Sequence, residues 1–292
     1  MKLEPSRNKY RHSKRTPFCI RSAGSTCEIL VALLWLWGGV RNASAQEIVT
    51  LPTRPGATQS FFIAALPQNP RAIALLFPGA SGLVRLRQVK SGQIKFGSNN
   101  FLVRSRAEFI KRGIVTVIMD APSDHQSSGM SDDFRMGANH LTDISAVVAV
   151  LEKRFPGLPI FLVGTSRGTI SAAALGATLG SPLAGVVLSS TLFRPGRRSA
   201  EANLGLSQFD FGTIKIPVLF VHHVSDQCWV TPYSDVTRLA NKYPLVSVFG
   251  GNAPESGPCD PFSAHGYFGK ESETVEEIVN WMLKKPFREE VR

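Results

Sequence analysis

A series of continuous apolar runs, separated by stretches of helical periodicity, constrains this chain more than any other feature. The runs fall at 61–66, 72–77, 113–119, 159–163, 185–189, 217–222 and 245–249. They do not alternate polar with apolar, so each reads as a strand covered on both faces. Between them, 101–112 sets Phe101, Ala107, Phe109 and Ile110 around a helix that stops at Gly113. Residues 141–155 repeat Ile144, Val147, Val148 and Leu151 at helical spacing, and 171–179 is rich in Ala. A closing helix over 274–283 aligns Val275, Ile278, Val279 and Met282, and Thr274-Val275-Glu276-Glu277 reads as its capping box. Strand–helix alternation of this kind predicts an α/β domain: a mostly parallel sheet with helices on both faces. The connection 191–213 is long enough for a small cap over a pocket and too short for a separate lid domain.

One strand-to-helix junction carries a motif. Gly164-Thr165-Ser166-Arg167-Gly168 lies directly after the apolar run 159–163 and before the Ala-rich helix. G-x-S-x-G in that context describes a turn too tight for side chains at its flanks, with the Ser hydroxyl lifted toward the start of the next helix. A hydroxyl is a poor nucleophile near neutral pH. It needs a base within hydrogen-bond reach, itself oriented by a carboxylate.

Both partners are found downstream. Asp226 sits just past the run 217–222, and His265 lies between the run ending at 249 and the closing helix. These positions are carboxyl ends of strands, where sites of open α/β sheets gather. Asp260 is nearer to His265 in sequence, but loop proximity does not make two side chains face each other, and Asp235 falls in or at a helix. His125 and His140 precede Ser166, while His222 and His223 end the strand that leads to the acid. That leaves Ser166, Asp226 and His265 as the catalytic candidates. The developing oxyanion needs two preorganised N–H donors. One is expected from Arg167. The other is expected from the Gly-rich loop Pro78-Gly79-Ala80-Ser81-Gly82, from Ala80 first and Ser81 next. The segment from Asp120 to Met136 follows a strand and is a second candidate for lining a pocket.

The amino-terminal 45 residues read as an export signal. A basic stretch precedes the apolar run 29–40, and Ala43-Ser44-Ala45 offers an A-x-A cleavage site before Gln46. The apolar run falls short of the roughly 20 residues that span a bilayer, so no stable membrane anchor is expected after cleavage. Ser13-Lys14-Arg15 lacks the first Arg of a twin-arginine signal, which favours the general secretory route. Setting aside the leader, with its eight basic and two acidic residues, lowers the net charge from +11 to +5. The basic pI of about 9.8 therefore owes much to the leader. No Lys/Arg stripe interleaved with aromatics remains to point to nucleic acid. Cys228 and Cys259 are left as a pair in an exported domain, 46–292, where a disulfide is the expected state and would tie the acid loop to the His loop. Neither cysteine has the C-x-x-C or C-x-x-H spacing of a metal pair.

Together, Phe77 to Gly82, the Gly164–Gly168 turn, Asp226 and His265 resemble the α/β-hydrolase superfamily, over nearly all of 46–292. That resemblance implies an eight-stranded sheet, no cofactor or metal, and acyl transfer through an acyl-Ser166. The expected substrate is a small-molecule ester of small or medium acyl chain. A serine peptidase or amidase would use the same triad, and a silent binding protein on the same fold usually loses a triad member. The chain departs from the family pattern in lacking the His-Gly-Gly oxyanion variant and a large lid, and in placing the bulky Arg167 after the nucleophile.

Overall fold

The computed structural model describes residues 46–196 and 204–292. The segment 1–45, expected to be an export signal, lies outside the described residues, as does part of the 191–213 connection. A nine-stranded sheet organises the domain. In chain order its strands are β1 (Glu47–Arg54), β2 (Ala57–Ile63), β3 (Ala72–Phe77), β6 (Ile114–Met119), β7 (Ile160–Thr165), β8 (Gly185–Ser189), β9 (Val218–His223), β10 (Leu245–Val248) and β11 (Glu290–Val291). A separate two-stranded hairpin pairs β4 (Arg87–Gln88) with β5 (Ile94–Lys95). The spatial order is β1-β2-β6-β3-β7-β8-β9-β10-β11, with β1 and β2 antiparallel to their neighbours and every other pair parallel.

Two cores explain why the strand sequences do not alternate. Ile73, Leu75 and Phe77 of β3 face one layer with Ile144, Val147 and Leu151 of α4 (Ala138–Arg154) and Ile170 of α5 (Gly168–Leu179). Ala72, Ala74 and Leu76 face the other layer. That layer contains Phe101 of α1 (Phe101–Arg104), Phe109 of α2 (Arg106–Lys111), and Val275, Ile278 and Met282 of α7 (Glu271–Met282). Successive side chains of a strand point to opposite faces, and both faces here are apolar and covered. The short helices α3 (Asp132–Met136) and α6 (Tyr233–Thr237) lie in the connections. Among the described residues no helix is long and apolar enough to cross a membrane.

Four local expectations are corrected. The sheet gains a ninth strand, β11, of only two residues, beyond the eight the resemblance implies. The edge strand β1 was not read from sequence because Pro52 interrupts it and a register shift follows between Pro52 and Arg54. The 101–112 helix is two helices: Ser105 N–H bonds Phe101 O, and the Ser105 carbonyl is taken by Glu108 N–H, three residues on. Helix α7 starts three residues before Thr274, so Thr274-x-x-Glu277 is not a capping box. Thr274 Oγ1 donates to Lys270 O at 2.6 Å. Glu277, buried, instead accepts from Arg288 Nε at 2.6 Å and from Arg288 N–H at 2.8 Å. The carboxylate thereby holds the tail that forms β11.

Glu277→Ala would remove the buried carboxylate that anchors Arg288 and the tail, at a cost of about 1–3 kcal/mol, which for a domain of this size lowers Tm by roughly 3–10 °C. Glu276, half-exposed and only 3.6 Å from the exposed Arg288, should tolerate Glu276→Ala within about 0.5 kcal/mol of wild type. Thermal unfolding of the two variants side by side checks this contrast.

Candidate active site

Ser166 sits between β7 and α5 with φ +54°, a conformation that side chains other than Gly rarely adopt. The flanking glycines have a steric reason. A Cβ on Gly164 would lie 2.6 Å from the Gly168 carbonyl oxygen, and one on Gly168 would lie 1.9 Å from that of Phe77. Ser166 is half-buried, and its N–H donates to Ser189 O at 3.0 Å. Its carbonyl accepts from Thr169 Oγ1 at 2.6 Å. The turn is thus fastened to the end of β8 on one side and to the first turn of α5 on the other.

The loop after β3 lies directly against this turn, since a Cβ on Gly79 would come 2.8 Å from Ser166 Cβ. Ala80 also has positive φ, +51°. Gly82 N–H bonds Gly79 O at 3.0 Å, and Met130 N–H bonds Ser81 O at 2.9 Å. Among the described residues no hydrogen bond takes up the N–H of Ala80, Ser81 or Arg167. These three donors flank one serine at a helix start, with Ala80 exposed and Ser81 and Arg167 half-buried, so a bound group can reach them. The Arg167 side chain turns to Asp132, Nε to Oδ1 3.0 Å.

Asp226 and His265 are brought together. His265 Nδ1 lies 2.9 Å from Asp226 Oδ2, with Asp226 following β9 and His265 in the segment between β10 and α7. Asp226 also accepts from Cys228 N–H and from Thr231 Oγ1, each at 2.9 Å. Burial opposes the Asp226 charge, but His222 and His265 beside the carboxylate outweigh that effect and hold it well below the usual carboxylate range. The rival carboxylate Asp235 pairs with Arg194 and Arg238. Of the other histidines, His222 Nε2 is 2.7 Å from Thr231 O and His223 Nε2 is 3.0 Å from Gly250 O. His140 is pushed down to about 3 by burial, with Arg135 adding to the effect. Among the described residues no hydrogen bond joins Ser166 to His265. The two are linked through β8: Ser189 O receives Ser166 N–H, and Ser190 Oγ donates to His265 O at 2.8 Å.

Sequence reasoning missed three supports. Thr231 shares Asp226 with His265, and its Oγ1 lies 3.1 Å from His265 Nδ1. Ser190, at φ +42°, gives its N–H to Tyr267 Oη, and Tyr267 Oη donates to Val221 O at 2.8 Å. Only the Asp226-to-Cys228 contact has a local signature, an Asx turn. The other supports join segments distant in sequence. Asp120, singled out as a possible pocket residue, accepts from Val84 N–H and Leu86 N–H and so shapes the chain beyond the Ala80 loop. The Cys228–Cys259 disulfide is formed, with a Cα–Cα distance of 4.6 Å.

A family model described as serine aminopeptidase, S33, matches residues 100–251, which include the Ser166 turn and Asp226. A search of curated proteins finds no match. Among solved structures, the chain is similar to an α/β serine hydrolase without lid from Xanthomonas campestris, at 15% identity and TM-score 0.56, covering 83% of this chain and 98% of that one. Est1E from Butyrivibrio proteoclasticus gives 15% identity and TM-score 0.55, covering 81% of this chain and 98% of that one. At these identities the likeness speaks to the fold, which is that of the α/β hydrolases.

Two outcomes follow from the Asp226 loop. Opening the disulfide, by Cys228→Ser with Cys259→Ser, removes a link across 31 residues of sequence. In the chain-entropy account that link contributes about 3–4 kcal/mol, so a clear drop in melting temperature is expected and an unchanged one would refute the role. Because the folded carboxylate of Asp226 titrates below its unfolded value near 4, its stabilisation is complete above about pH 5 and fades as pH falls through 4 and below. Asp226→Asn should therefore be less stable than wild type at pH 7, with the gap narrowing toward pH 2 in a melting series.

Proposed function

Since the chain belongs to the serine aminopeptidase S33 family of α/β hydrolases, we propose that it is an exported serine hydrolase with Ser166 as nucleophile. We further propose that it is a carboxylesterase for small or medium acyl esters. The observation that carries this reading is the Asp226–His265 pair held at the same sheet edge as a serine in a strained turn flanked by unpaired N–H groups. In the reaction, His265 Nε2 takes the Ser166 proton as Oγ attacks the ester carbonyl, and Asp226 stabilises the imidazolium. The Ser166–His265 hydrogen bond forms in the substrate complex, as catalytic bonds that are loose in free enzymes commonly do. The N–H groups of Ala80 and Arg167 receive the oxyanion. Collapse passes the proton to the leaving alkoxide, leaving acyl-Ser166, and water activated by His265 releases the acid and restores the enzyme.

Met136, Leu204 and Trp229 are exposed large hydrophobic side chains on the segments 132–136, 204–206 and 228–231. Their segments are tied together, Gly205 N–H to Asp132 Oδ2 at 3.0 Å, Leu206 N–H to Leu192 O at 2.9 Å and Phe193 N–H to Val230 O at 3.0 Å. The family's description makes amide hydrolysis the second reading. Est1E has been crystallised with ferulic acid, so aromatic esters belong in the substrate panel. Export accords with the disulfide, which persists in oxidising compartments.

A fluorophosphonate probe read by intact mass tests the proposal on the 46–292 protein. Wild type should gain one label and Ser166→Ala none, and His265→Ala should react at least about 10³-fold more slowly. Ester hydrolysis should exceed that of matched aminoacyl anilides. The reverse order would favour the peptidase reading, and an unlabelled, folded, oxidised wild type would favour a binding protein.

A further inference from the structure

A buried pair of opposite charges on α3 remains outside the reaction just described. Asp132 and Arg135 lie one helical turn apart and are almost fully buried. Arg135 Nη1 donates to Ser171 Oγ on α5 at 3.0 Å, and Nη2 donates to the Ala80 carbonyl at 3.3 Å. Asp132 Oδ1 holds Arg167 Nε at 3.0 Å, and Oδ2 accepts Gly205 N–H at 3.0 Å. Gly82 leaves room for the guanidinium, since a Cβ there would lie 2.7 Å from Arg135 Nη2. A charge this deep is costly unless it is paired and hydrogen-bonded, and Arg135 keeps its place with two hydrogen bonds and an unpartnered Nε. Burial, with Arg167 nearby, pulls Arg135 down to about 9, which still leaves it a cation at neutral pH.

The contacts fall on the two segments that carry the unpaired N–H groups. In a trans peptide the C=O and N–H point in opposite directions. Gly82 N–H fixes the Gly79 carbonyl, which directs the Ala80 N–H to the other side. Arg135 fixes the Ala80 carbonyl, which directs the Ser81 N–H, the alternative donor of this loop, likewise and anchors the far side of Ala80, whose φ is +51°. Met130 N–H fixes the Ser81 carbonyl. Through Asp132 the same short helix also anchors Arg167, the residue after the nucleophile. Two guanidiniums and one carboxylate leave this cluster net positive beside the place where a negative oxygen would develop.

We propose that Arg135 is a positioning residue for the oxyanion hole, clamping the Ala80 carbonyl from Ser171 while Asp132 tethers Arg167, so that the donors are aligned before substrate arrives. This rests on the serine hydrolase reading of Ser166. Removing an oxyanion donor typically costs about 10²–10³ in kcat. Misaligning one through Arg135→Met should therefore lower kcat by roughly 10–100-fold, leaving KM within about threefold. Affinity for a boronic acid, which mimics the tetrahedral intermediate, should fall in parallel. Arg135→Lys, which keeps the charge and loses the two-point clamp, should recover part of the loss. Ser171→Ala, which removes only one oxygen, should lower kcat by a few-fold and decides the same question if Arg135→Met does not fold. Variants with wild-type kcat and boronate affinity would overturn the proposal while Ser166 still labels with fluorophosphonate. A loss confined to KM would do the same. A wild type that does not label would remove the serine hydrolase reading and this one with it.

Discussion

The contact between the start of α5 and the end of β3 governs the arrangement of the site. A backbone approach that would put a Gly168 Cβ 1.9 Å from the Phe77 carbonyl oxygen is open only to glycine. It sets the helix start against the central strand, so that the loop leaving β3 and the turn leaving β7 share one small volume. Strand order does the rest. The chain runs from β3 to β6 on one side and returns to β7 on the other. The two carboxyl ends therefore open a crevice at the point where the winding reverses. Asp226 and His265 arrive at the same edge because β9 and β10 run parallel to β7.

Around this crevice the domain buries charge, and three of its buried carboxylates are each answered. Asp226 has His265, Thr231 and the Cys228 N–H; Asp132 has Arg167 and the Gly205 N–H; Glu277 has Arg288. Groups of this kind cost several kcal/mol each when left alone in a low-dielectric interior. They are tolerated where a fixed orientation matters more than raw stability, and two of the three lie within the site. Positive φ gathers there too: of the six non-Gly residues with positive φ among the described residues, Ala80, Ser166, Ser190 and Tyr267 belong to the site or to the segments directly behind it. Strain held by surrounding structure is what a preorganised site requires.

Sequence revealed the layers and the catalytic candidates better than the scaffolding. Runs such as Ala72–Phe77 announced doubly covered strands because both faces of each are apolar, and that pattern is local. Ser166 was legible because its flanking glycines are a local steric demand. Asp226 and His265 were reached by chain order, and the structure pairs them. Edges and helix ends were less legible. Pro52 disguised β1, and Thr274-x-x-Glu277 mimicked a cap because Glu277 pairs with a residue beyond the helix, a tertiary fact with no local trace. Thr231, Ser190 and Arg135 were invisible for the same reason, since each acts on a segment far away in the chain.

The two borders of the sheet carry a further meaning. On one side β1 is broken by Pro52 and a register shift; on the other, β10 is covered by a two-residue strand whose Glu290 is exposed and paired with Arg292. An open ladder of backbone N–H and C=O groups recruits strands from other molecules, and short, charged or kinked borders deny it. Glu277, by holding the tail over β10, therefore acts against polymerisation as well as for folding. A sheet closed in this way at both borders offers a neighbouring chain no ladder on which to dock.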